Sequence, residues 1–184
     1  TVYEYVNGRE YYNVEANGEY AYLVDQVNHY RREDEEHYRH LVSFDVHNPH
    51  QPELISEIDN LAYGLVYSMI KSDNQHLFIT SVGAPSTIGV VSIEEPQNPI
   101  LTGRIRGRHP LFGECRGDYF YVSRVAEGIS IYNIANPAEP EFIREYQYIG
   151  DGNNVDHIQD LTLEGEFLYA TDAQHGLRIY RFNG

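Results

Sequence analysis

Tryptophan is absent from this 184-residue chain, and cysteine, methionine and lysine occur once each, at Cys115, Met69 and Lys71. A lone cysteine excludes an intrachain disulfide and any multi-cysteine zinc site. Cys115 falls in an apolar segment and is expected to be a buried, inert thiol. Positive charge is scarce: 13 basic side chains stand against 28 acidic ones, a formal net charge of -15. Such a surface repels phosphate backbones and anionic lipid, which argues against a nucleic-acid partner. Almost every basic group is a guanidinium, suited to fixed bidentate pairing. No stretch approaches the roughly 18 to 20 apolar residues of a membrane-spanning helix. The chain also lacks a Gly-x-Ser-x-Gly elbow, a Gly-x-x-x-x-Gly-Lys phosphate loop and a Gly-x-Gly-x-x-Gly dinucleotide turn.

What is present is repetition. Gly18-Glu19-Tyr20-Ala21-Tyr22-Leu23-Val24 returns as Asn74-Gln75-His76-Leu77-Phe78-Ile79-Thr80, Gly117-Asp118-Tyr119-Phe120-Tyr121-Val122-Ser123 and Gly165-Glu166-Phe167-Leu168-Tyr169-Ala170-Thr171. Proline-rich turns follow the first three: His47 to Pro52, Glu95 to Pro99 and Ala135 to Pro140. Within them, Asn48-Pro49, Asn98-Pro99 and Asn136-Pro137 are read as equivalent. Periods of about 40 to 50 residues made of short strands are the mark of propeller blades.

The expected fold is all-β: one β-propeller domain over residues 1–184, with four blades of four antiparallel strands. Blade 1 covers about residues 11–58, blade 2 about 61–105 and blade 3 about 109–148. Blade 4 covers about 155–183, plus residues 2–6. The fourth repeat ends after its third strand, and Val2-Tyr3-Glu4-Tyr5-Val6 precedes the first. That N-terminal strand is therefore expected to complete the last blade and close the ring, hiding an exposed edge. A simple hairpin at Asn7-Gly8 is the rival reading.

Leu41-Val42-Ser43-Phe44-Asp45-Val46, Gly89-Val90-Val91-Ser92-Ile93, Gly128-Ile129-Ser130-Ile131-Tyr132-Asn133-Ile134 and Gly176-Leu177-Arg178-Ile179-Tyr180, together with the Asn-Pro turns, resemble the LVIVD-repeat family of propellers. The missing tryptophan sets the chain apart from WD40 repeats. The resemblance implies an extracellular or cell-surface propeller, usually without assigned chemistry.

In such a ring the outer-to-inner and second-to-third links open on one face. Six of the nine histidines map there. Candidate ligand-binding residues on that face and in the channel are Tyr63, His109, His157, Gln159, Asp160 and His175. The overlong first link, Val27 to Arg39, places His37 and His40 with Glu33 and Glu36 at the spacing of one helical turn, a set that suits a divalent cation. No other cofactor is expected. Asp151 to Asp156 fails the calcium-loop spacing. The leading reading is a non-enzymatic extracellular or cell-surface propeller working through protein contacts, other subunits or self-association. The alternatives are a hydrolase or lyase acting on a glycan or small ligand, and a cation-dependent lectin-like module, both using the His- and acid-rich face.

Overall fold

The computed structural model describes residues 10–26, 38–63, 65–72, 75–82, 86–107, 109–124, 128–147 and 158–181. These form four antiparallel sheets. The first holds β1 (Glu10–Asn17), β2 (Tyr20–Gln26), β3 (Tyr38–Asp45) and β4 (Glu53–Tyr63). The second holds β5 (Leu65–Ser72), β6 (His76–Val82), β7 (Thr87–Ser92) and β8 (Ile100–Arg106). The third holds β9 (Pro110–Arg116), β10 (Tyr119–Arg124), β11 (Gly128–Asn133) and β12 (Glu141–Tyr146). The fourth, with three strands among the described residues, holds β13 (Ile158–Glu164), β14 (Phe167–Asp172) and β15 (Gly176–Arg181). In each sheet the strands pair in sequence order, so every connection is a hairpin.

The local chemistry repeats with the strands. Gly18, Gly117 and Gly165 open the first hairpin of their sheets with φ of 59°, 52° and 57°, a left-handed conformation that a two-residue turn requires and glycine adopts without strain. After the third strand, Asp45 Oδ1 accepts the His47 N–H, Ser92 Oγ the Glu94 N–H and Asn133 Oδ1 the Ala135 N–H. The turns that follow close with N–H donation from Gln51 to the Asn48 carbonyl, from Asn98 to the Glu95 carbonyl and from Glu139 to the Asn136 carbonyl. Pro49, Pro96 and Pro137 thus occupy the second position, where a fixed φ favours the turn. This corrects the equivalence drawn above: Glu95-Pro96 matches Asn48-Pro49 and Asn136-Pro137. Pro99 instead matches Pro52 and Pro140, which lead into the outer strands.

The sheets pack face to face through three apolar cores. Tyr22, Val24, Leu41 and Leu61 of the first meet Leu77, Ile79, Val91 and Ile93 of the second. Phe78, Ile88 and Val90 meet Phe120, Val122, Tyr132 and Ile134, and Tyr121, Ile129 and Ile131 meet Ile158, Leu161, Leu168 and Ala170. The third strands β7 and β11 are buried on both faces, because each is covered by a sheet on either side. Cys115 packs, half-buried, against the second core. β1, β5, β9 and β13, the first strand of each sheet, lie side by side: β5 contacts β1 and β9, and β9 contacts β13.

Candidate functional site

The adjacent inner strands bring three carboxylates toward one another. Glu114 lies on β9, Glu15 on β1 and Asp160 on β13. Burial pushes the Glu114 carboxyl above its ordinary range, and the charges of Asp160 and Glu15 push it further. Glu15 was not among the candidate residues, although the repeat reveals it: Glu15-Ala16-Asn17-Gly18 aligns with Glu114-Cys115-Arg116-Gly117. A carboxyl raised in the folded state contributes stability that is fully present below its unfolded value and is lost as pH rises through the folded value. Glu114→Gln is therefore expected to raise the melting temperature at neutral pH. The gain should vanish below about pH 4, where the wild-type group is protonated in both states. Thermal melts of both proteins from acid to neutral pH measure this, and a pH-independent difference would refute the electrostatic account.

A second cluster closes the β14–β15 turn. Asp172, fully buried, accepts the N–H groups of Gln174 at 2.8 Å and His175 at 3.1 Å. The His175 ring lies 3.2 Å from its Oδ2, and Arg178 Nη2 sits 2.9 Å from the same oxygen. Burial opposes ionisation of Asp172, but the two N–H groups, the ring and the guanidinium outweigh it and hold the carboxyl below its usual range. The cluster thus supports the fold above the ordinary carboxylate range and weakens as pH falls through the lowered value. His175, expected to be a ligand group, is tied into this network. It also borders a cleft of about 370 Å³ with Arg178, Ile179 and Tyr180.

The third cluster sits at the end of the first sheet. Here the structure corrects an expectation. His40, placed above on a helical turn of the long link, belongs to strand β3, and Asp59 belongs to β4. His40 Nδ1 lies 3.2 Å from Glu57 Oε1, and its Nε2 lies 3.9 Å from Asp59 Oδ1. The partners that sequence spacing assigned to His40, namely His37, Glu33 and Glu36, lie outside the described residues, as does His157.

Apart from Asp160, which faces Glu114, the remaining candidates are dispersed. Tyr63, expected on an inner strand, ends β4 and pairs with Tyr38 on the outer edge of the first sheet. It was misplaced because β4 continues past a bulge opposite His40 instead of ending near residue 58. His109 is exposed at the start of β9 with φ 46°. Gln159 and Asp160 are exposed on β13, where the register shifts between Ile158 and Asp160. His109 and His175 each lie at the link end of their own sheets, as the alternation of strands requires.

Four antiparallel sheets stacked around adjacent inner strands define the β-propeller class. The LVIVD repeat matches residues 115–148, which span most of the third sheet, so the chain carries an LVIVD repeat there. No curated protein matches the sequence. Solved propellers share the architecture at low identity. A putative 6-phosphogluconolactonase from Bacteroides uniformis superposes with a TM-score of 0.69 at 13% identity, over 91% of this chain and 51% of its own. The Cps50 (Swd1) β-propeller domain of Myceliophteria thermophila gives 0.68 at 10%, over 95% and 55%. The computationally designed Ika4 protein gives 0.66 at 9%, over 97% and 94%. The chain thus spans about half the length of the two natural propellers, and likeness at this identity speaks to fold alone.

Proposed function

We propose that this chain is a non-enzymatic, extracellular or cell-surface β-propeller that acts through protein contacts. The observation that carries this reading is an apolar side chain displayed near the start of each outer strand. Leu54 on β4, Ile100 on β8 and Phe142 on β12 are 43%, 54% and 57% exposed. Each follows a proline-rich turn: Leu54 and Phe142 stand two residues after Pro52 and Pro140 and pair with Phe44 and Tyr132, whereas Ile100 directly follows Pro99, pairs with Ser92 and projects from the other side of its strand. The three outer strands thus each offer a partner apolar purchase on an otherwise acidic surface. The LVIVD repeat supports the extracellular or cell-surface setting through what that resemblance implies. Sedimentation over a wide concentration range should show self-association that the triple variant Leu54→Ser, Ile100→Ser, Phe142→Ser abolishes while its circular dichroism is retained. A chain that stays monomeric at every concentration and recovers no partner from its source would overturn the reading.

The same proposal includes closure of the ring by residues 2–6. On the first sheet, Val14, Leu23 and Val42 share the face turned away from the second sheet, and Val14 is 66% exposed. On the fourth sheet, Leu177 and Ile179 face away from the third and are 62% and 57% exposed. Their counterparts Ile129 and Ile131 on β11 are buried against the next sheet. Two terminal sheets with apolar outer faces are suited to cover each other. A strand from residues 2–6 on β15, joined to β1 by only a short link, draws them together. Removing residues 1–6 should lower the melting temperature and increase binding of an apolar dye; unchanged melting would discard the closure.

A further inference from the structure

We infer that His40, Glu57 and Asp59 form a binding site for a borderline divalent cation such as zinc. Their ligand atoms, one per residue, all lie within 4.8 Å of one another. Two paired strands supply them. Glu57 and Asp59 are two apart on β4 and so project from one face. His40 follows the same alternation from Val42, which pairs with Glu57. The ladder shifts register between Arg39 and Leu41. That bulge gives the β4 backbone extra length opposite His40 and brings Asp59 alongside the ring.

The chemistry of the set suits a divalent metal. The ion would bring two positive charges to two carboxylates, in a chain whose formal net charge is -15. Bonds of about 2.0 to 2.2 Å to nitrogen and oxygen place neighbouring zinc ligands roughly 3 to 3.5 Å apart. The His40–Glu57 separation of 3.2 Å already meets that spacing. The side chain of Asp59, 73% exposed, is free to swing inward and leaves an open path for the ion. One nitrogen with two carboxylate oxygens selects zinc or cobalt over magnesium or calcium, which prefer all-oxygen shells. Three protein ligands leave the remaining positions to water.

The test uses the full chain with the metal alone. Zinc chloride titrated by calorimetry should bind one ion per chain and raise the melting temperature, whereas magnesium should do neither. His40→Ala and the exposed variant Asp59→Asn should each weaken zinc binding by roughly tenfold or more, with metal-free melting preserved in Asp59→Asn. Cobalt should give a visible absorption band that changes in His40→Ala. Should zinc bind the wild type with no loss in either variant, the ion sits at other histidines and the assignment is wrong. Absence of zinc binding to the wild type would equally overturn it, leaving His40 as an ion-pair partner of Glu57.

Discussion

Phe120→Ala is expected to cost about 4 kcal/mol of unfolding free energy, the scale for truncating a fully buried phenylalanine. The ring has no exposed surface and stacks on Phe78 of the neighbouring sheet, with centroids 4.8 Å apart and planes 28° from parallel. On its own sheet it lies over Gly113, where an added Cβ would stand 2.5 Å from the Phe120 ring. The glycine is thus part of the same packing solution: β9 gives up a side chain so that the ring can sit against the strand. Truncation removes both contacts and opens a void between the second and third sheets that flanking backbone cannot collapse to fill. Urea unfolding of the variant measures the loss. A cost below about 1 kcal/mol would mean that this stack does not hold the two sheets together.

Glu145→Ala should cost about 3 kcal/mol by a different mechanism. Arg124, at the end of β10, is 7% exposed at its side chain and pairs through Nη2 with Glu145 Oε2 on β12; Gln147 Nε2 donates to the other carboxylate oxygen. Removing the carboxylate takes the Glu145 charge away from a buried guanidinium, and arginine cannot neutralise itself by losing a proton. Replacing both partners with methionine should recover much of the loss, since the penalty belongs to a buried charge deprived of its Glu145 partner and not to the absence of the pair. If the double replacement is as damaging as Glu145→Ala, the contribution is packing and the electrostatic explanation fails.

Much of the architecture was legible because local chemistry repeats. The strands of the third sheet, from Pro110 to Tyr146, are bounded by Gly117, Gly128 and the Ala135 to Pro140 turn, since glycine turns and prolines fix where strands stop. The second proline turn was misread because Asn98-Pro99 copies the letters of Asn48-Pro49, whereas the backbone aligns Glu95-Pro96 with them. The hydrogen bond from Asn98 to the Glu95 carbonyl separates the two. Asp160 was a candidate by position, and Glu15 was recoverable from its repeat partner Glu114.

The His40 cluster could not be found in the same way. Glu57 and Asp59 are distant in sequence from His40, and the pairing of β3 with β4 is irregular at that point, so neither period nor spacing announces their approach. The sequence by itself determined that the chain is an acidic set of repeated strands with no intrachain disulfide, because composition and turn chemistry act locally and recur. Which side chains meet was decided only by the tertiary structure. A residue's partners across a ladder depend on register, and a single bulge is enough to bring His40 beside a carboxylate pair on the neighbouring strand.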